Sequence, residues 1–115
     1  MSIRVERVAE QMKKEIAQLL QDEIKDPRIG FVTVTDVELS NDMQHAKVYV
    51  SIYGDEEQKR QTLEALSRAT GFIRREIGRR IKLRVVPEIV FKYDASIERA
   101  DRIARLLSQI KAEER

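Results

Sequence analysis

These 115 residues contain no cysteine and no tryptophan, and only two prolines, four glycines and one histidine. Without cysteine there can be no disulfide, thiolate metal ligand or thiol nucleophile, and a reducing compartment is the natural home. His45 has no second histidine, and Asp42 beside it would complete at most two ligands, so neither a catalytic dyad nor a metal site is expected. Gly30, Gly54, Gly71 and Gly78 match neither a phosphate-binding loop nor a dinucleotide fingerprint. No catalytic residue, cofactor, metal or small-molecule substrate is therefore expected. No apolar run approaches the roughly 18 residues of a membrane span, and MSIRVERVAEQ lacks the apolar stretch of a signal peptide. A cytoplasmic protein without membrane contact is predicted. Aromatic residues number six, three Phe and three Tyr, too few for the stacking platforms of many single-strand binders.

Charge is what the chain has in excess. Charged residues make up 37% of it, well above the usual quarter, yet the net charge is only +2. The neutrality conceals segregation. Residues 1–58 carry seven Lys/Arg against twelve Asp/Glu, whereas residues 59–84 carry nine against two. Residues 85–115 balance at six of each. One concentrated basic segment in an otherwise acidic or neutral chain is the footprint of a polyanion binder. Chain length sets a single domain over 1–115, and a monomer is expected.

The apolar spacing predicts the order α-β-β-α-α-β-α, an α+β fold with a three-stranded sheet and helices packed on one face. Ser2 can cap a first helix with Val5, Val8, Met12, Ile16 and Leu19 on one stripe, ended by Asp26-Pro27-Arg28. Residues 31–39, FVTVTDVEL, form a strand whose apolar phase changes between Val34 and Val37, the signature of a bulge or of a strand buried on both faces near its middle. Ser40-Asn41-Asp42 supplies a turn. Ala46, Val48, Val50 and Ile52 then alternate with Lys47, Tyr49, Ser51 and Tyr53, giving one core face and one open face. Asp55 and Gln58 have the spacing of a capping pair for a helix lined by Leu63, Leu66 and Ala69. A second helix follows from about Gly71 to Lys82 with Ile73, Ile77 and Ile81 inward. Residues 85–93 are a strand with Val85, Ile89, Phe91 and Tyr93 on one face and Pro87 near its beginning. A last helix, about 96–112 and capped by Ser96, carries Ile97, Ala100, Ile103, Ala104, Leu107 and Ile110 on one stripe and packs on or extends from the domain.

Gly71, Arg74, Arg75, Gly78, Arg79 and Lys82 fall at helical offsets that place them on one face, about 130° round from the isoleucines. Both glycines lie on that cationic face, where a missing Cβ permits a phosphate backbone to approach. The break at Ala69-Thr70-Gly71 joins two helices without a turn-rich loop, and the free N–H groups opening the second helix add an anion site. Arg68 and Arg74 flank this break. The expected phosphate-contacting set is Arg68, Ala69, Thr70, Gly71, Arg74, Arg75, Gly78, Arg79, Arg80 and Lys82, with Arg4, Arg7 and Lys14 as secondary candidates on a face that otherwise reads as solvated.

This element order, with a tight break between the middle helices, resembles the type II KH fold. The Gly-x-x-Gly clamp of ordinary KH domains is replaced here by Ala69-Thr70-Gly71, and in this the chain is similar to the ribosome-binding factor A family. Arg4-Val5-Glu6-Arg7-Val8, Asp26-Pro27-Arg28, Val32 through Val37, Asp42, Ala46 through Ser51 and Pro87 through Phe91 carry the resemblance across nearly the whole chain. It implies a bacterial factor that contacts the small-subunit ribosomal RNA on the immature small subunit. Such a factor aids late maturation near the RNA's 5′ end, leaves before translation and is linked to growth in the cold. Two other readings compete: a helix-turn-helix DNA binder using residues 71–82, and a protein adaptor using the Lys47/Tyr49/Ser51/Tyr53 face. The first is disfavoured by three strands and by the lack of a three- or four-residue turn between the helices.

Overall fold

The alternation of Ala46, Val48, Val50 and Ile52 organises the molecule. All four are buried in β2 (His45–Ile52), the central strand of a sheet ordered β1-β2-β3. In this computed structural model the described residues are 3–22, 24, 29 and 31–113, without the side chains of 97–103, 112 and 113. The elements follow the expected order: α1 (Ile3–Asp22), β1 (Val32–Leu39), β2, α2 (Glu56–Arg68), α3 (Thr70–Arg80), β3 (Glu88–Tyr93) and α4 (Ser96–Glu113). Ser2 and Asp26-Pro27-Arg28, expected to bound the first helix, lie outside the described residues.

β1 pairs antiparallel with β2, and β3 pairs parallel with it. The phase change read from the sequence is a β-bulge. Val34 faces Val50 and Asp36 faces Tyr49, so Thr35 is the extra residue and both Val34 and Val37 reach the core. The Thr35 hydroxyl donates to Asp94 Oδ2 at 2.6 Å, tying the bulge to the segment after β3. Ser40 Oγ accepts the N–H groups of Gln44 and His45 in the β1–β2 turn, where Met43 has φ 60°. Asp42 accepts from the Ser40 hydroxyl and the Gln44 N–H there, and these bonds hold its carboxyl below the usual carboxylate range.

Met12, Ile16 and Leu19 of α1, Leu66 of α2, and Ile73 and Ile77 of α3 pack fully buried on one face of the sheet. Asp55 and Gln58 form the expected reciprocal capping box, each side chain accepting from the other's backbone. The buried face of α2 is centred on Thr62, Ala65 and Leu66, with Leu63 and Ala69 at its margin.

Two expectations are corrected. β3 starts at Glu88, and Val85, assigned to the strand, is 61% exposed because residues 81–87 first cross back from α3. Ser96 is the first residue of α4 rather than its cap; its N–H is accepted by Asp94 Oδ1 at 2.9 Å. Of the two placements expected for the last helix, packed on the domain or extending from it, the described part of α4 takes the second, with Leu106, Leu107 and Ile110 exposed. The stripe's Ile97, Ala100 and Ile103 lie outside the described side chains.

Candidate nucleic-acid interface

Ala69 joins α2 to α3. Its backbone stays right-handed helical (φ −85°, ψ −3°), and its N–H is shared between the carbonyls of Ala65 and Leu66, each at 3.1 Å. Thr70 donates its hydroxyl to the Ser67 carbonyl at 2.7 Å, using the side chain to close the end of α2. Ala69 offers α3 no side-chain cap, so the start of that helix is left to its backbone donors. Gly71 is helical, without positive φ, and a Cβ there would meet only the Arg75 guanidinium at 3.8 Å. No backbone strain requires glycine at this position; what the absent side chain leaves is a bare exposed helical surface.

Ile73 and Ile77 bury one face of α3, but the opposite face divides in two. Arg74 turns inward, donating from Nε to the Pro87 carbonyl at 3.0 Å and from Nη2 to the Val86 carbonyl at 3.1 Å. Those carbonyls belong to the segment leading into β3, so this guanidinium fastens the helix to the sheet. One turn on, Gly78 faces the same segment. A Cβ built there would lie 2.8 Å from Val86 Cγ2, so Gly78 is needed for the close approach of Val86. The expectation that Gly78 leaves room for phosphate is thereby corrected: the room is filled.

Arg80 is also engaged. Its guanidinium lies 3.1 Å from Glu15 on α1 and 3.9 Å from Glu76, and its side chain is only 24% exposed. Arg79, by contrast, is 77% exposed, with a single-turn contact to Glu76 at 3.0 Å. Arg68, Arg75 and Lys82 are exposed as well. Lys82 lies beyond the helix, which ends at Arg80 with extended Ile81 as its C-cap, and not on its last turn as expected. From the expected set, the structure brings Arg68, Gly71, Arg75, Arg79 and Lys82 to the surface around the break and α3, and turns Arg74 and Arg80 into fastenings. Arg84, in the basic segment but outside the expected set, is exposed in the same crossing; the charge tally was the signal for it. Arg4, Arg7 and Lys14 are exposed on α1, where Glu6 and Glu10 interleave with them.

Among the described residues no cluster of three or more His, Asp or Glu could hold a metal ion, and no helix is long and apolar enough to cross a membrane. His45 is exposed at the start of β2, opposite Glu88. The exposed charged side chains of α3 are the cations Arg75 and Arg79.

Comparison with known proteins agrees with this architecture. The family model described as ribosome-binding factor A matches residues 4–107. A ribosome-binding factor A from Moorella thermoacetica is 63% identical over 113 residues, covering 96% of this chain and 93% of that protein. The crystal structure of ribosome-binding factor A from Thermus thermophilus superimposes with a TM-score of 0.69 at 32% identity, covering 77% of this chain and 94% of its own. A homology model of the Thermus thermophilus factor, fitted into a cryo-EM map of its complex with the 30S subunit, matches with a TM-score of 0.64 at 33% identity over 76% of this chain and 91% of its own. With a family match over most of its length and a relative this similar across nearly all of it, the chain belongs to the ribosome-binding factor A family.

Proposed function

We propose that this chain is a non-catalytic, KH-like RNA-binding factor that associates with immature small ribosomal subunits. In this reading it assists late maturation of the small-subunit ribosomal RNA near its 5′ end, acting as a cytoplasmic monomer. The observation that carries the reading is the exposed cationic edge formed by Arg68, Arg75, Arg79 and Lys82, next to the bare helical surface at Gly71. It is supported by the 30S complex of the Thermus thermophilus relative. Phosphates are the ligand that fits. Exposed cations of one sign on a rigid helix supply position and affinity through counterion release without reading bases. Aromatic stacking has no place on this edge, because Phe72 is the only aromatic residue in α3 and is half-buried against the core.

Recognition of a DNA groove by residues 71–82 fits less well, since the helix stops at Arg80 and its Arg74 is occupied by the Val86 and Pro87 carbonyls. Sedimentation of cell extract tests the proposal. The protein should travel with free small subunits, and the Arg75→Glu/Arg79→Glu variant should remain at the top of the gradient. Co-migration of that variant with the subunit at wild-type levels would overturn the assignment of the edge.

A further inference from the structure

Nine cations crowd residues 59–84, and only two carboxylates accompany them, Glu64 and Glu76. Glu64 accepts from Arg60, one turn back on α2. Glu76 is the single carboxylate of α3, and it stands between the two roles that the arginines of this helix play. Both of its oxygens face Arg79, with Oε1 3.0 Å and Oε2 3.3 Å from Nη1. Oε2 also lies 3.9 Å from Nε of Arg80, whose Nη1 reaches Glu15 of α1 at 3.1 Å.

The two members of the Glu76–Arg79 pair differ in freedom. The Glu76 side chain is only 13% exposed, against 77% for Arg79. Glu76 is thus held beside the fastening that joins α3 to α1, and the arginine is the member that can move. Among the described residues, no carboxylate pairs with the other three exposed cations of the edge, Arg68, Arg75 and Lys82. Arg79 is the one that already carries an anion.

A phosphate and a carboxylate offer a guanidinium the same thing, negatively charged oxygen acceptors. A phosphate that takes Arg79 from Glu76 leaves a mostly buried carboxylate with Arg80, at 3.9 Å, as its remaining cation. A phosphate that shares Arg79 with Glu76 stands next to a like charge. Both outcomes weaken the contact.

On the phosphate reading of this edge, we propose that Glu76 is a built-in competitor for RNA phosphate, limiting affinity by occupying Arg79. It acts through Arg79, as a residue that positions a cation rather than one that touches RNA. The edge then grips RNA less tightly than its cations alone would, which keeps the complex reversible.

The test compares the wild type, Glu76→Gln, Arg79→Gln and the double variant in binding to immature small subunits, at low and at raised salt. Glu76→Gln keeps the shape of the side chain and removes its charge. It should bind about two- to fivefold more tightly than the wild type, the ratio that an exposed ion pair corresponds to. Salt screens charge, so this advantage should shrink as salt is added. In the Arg79→Gln background the same substitution should lose most of its effect. Glu76→Ala, a second neutral replacement that favours the helix, should tighten binding as the amide does. A role confined to the fold would lower the melting temperature of both neutral variants and tighten nothing, which overturns the proposal. An equal gain with and without Arg79 would trace the effect to net charge and overturn it as well. If Arg75→Glu/Arg79→Glu binds as the wild type does, the phosphate reading falls and this inference with it. If that variant fails to bind while Glu76→Gln stays at wild-type affinity, this inference alone is overturned.

Discussion

Two arginine pairs share the eleven residues of α3 and do different work. Arg74 and Arg80 point toward neighbouring chain, one to the Val86 and Pro87 carbonyls and the other to Glu15 of α1. Arg75 and Arg79 point to solvent. Adjacent positions on a helix are about 100° apart, so a run of Arg-Arg necessarily aims its members differently. What decides the role of each is what lies opposite. On the β3 side a descending loop brings bare carbonyls close, whereas on the outer side Arg75 is exposed and Arg79 meets only Glu76 of its own helix among the described contacts. A helix rich in cations is therefore not uniformly a binding surface. Part of its charge holds the platform from which the rest is exposed.

The largest effect expected along this divide is at the core anchor. Ile77 is fully buried, so Ile77→Ala should lower stability by about 2–5 kcal/mol in denaturant unfolding, through lost burial and the cavity left behind. Arg74→Ala comes next. It removes two charge-assisted bonds to half-buried carbonyls and should cost about 2 kcal/mol, whereas Arg75→Ala should stay within about 0.5 kcal/mol. Equal melting temperatures for these two variants would erase the distinction between the faces.

The glycines sharpen the comparison. Gly78→Ala should destabilise by about 1 kcal/mol, because Val86 is a short, stiff side chain that cannot swing away from the new methyl. In a Val86→Ala background the same change should be neutral or stabilising, and a double-mutant cycle reads the coupling directly. Gly71→Ala has the smallest expected effect and the opposite sign. With helical backbone and open space around the Cβ, it should stabilise by up to about 1 kcal/mol. Any loss of subunit binding in Gly71→Ala would then come from the contact surface and not from the fold.

Much of this frame was legible in the residues. The phase change between Val34 and Val37 narrowed β1 to a bulge or burial on both faces, and pairing on β2 resolves it as a bulge at Thr35; the Asp55–Gln58 capping box followed from spacing alone. The inward isoleucines of α3 followed from their four-residue steps. These are local signals, set by the period of a helix or strand. The fates of Arg74 and Gly78 were not legible, because their partners lie 12 or 13 and 8 residues away, on a loop whose path depends on how β3 joins the sheet. A helical wheel places them on the same face as Arg75 and cannot show that Val86 and Pro87 cover it. The placement of α4 stayed open between packing on the domain and extending from it, for the complementary reason. Periodicity shows that Leu107 and Ile110 share a face with the earlier apolar positions, but not whether anything lies opposite, and both are exposed. At the open face, Tyr53 was placed by alternation, while the exposure of Phe31 beside it emerged only with the register of β1 on β2.

In the function proposed above, the exposed cations of the α2–α3 edge carry binding to RNA through phosphates. The most direct test of this is the salt dependence of association with the immature small subunit, measured for the wild type and for Arg75→Glu/Arg79→Glu. Neutralising about four phosphates through Arg68, Arg75, Arg79 and Lys82 predicts a log–log slope of roughly −3 to −4. Losing two of those contacts should make the slope shallower by about 2, with the melting temperature nearly unchanged. A wild-type slope near zero, or a double variant with the wild-type slope and affinity, would contradict the account.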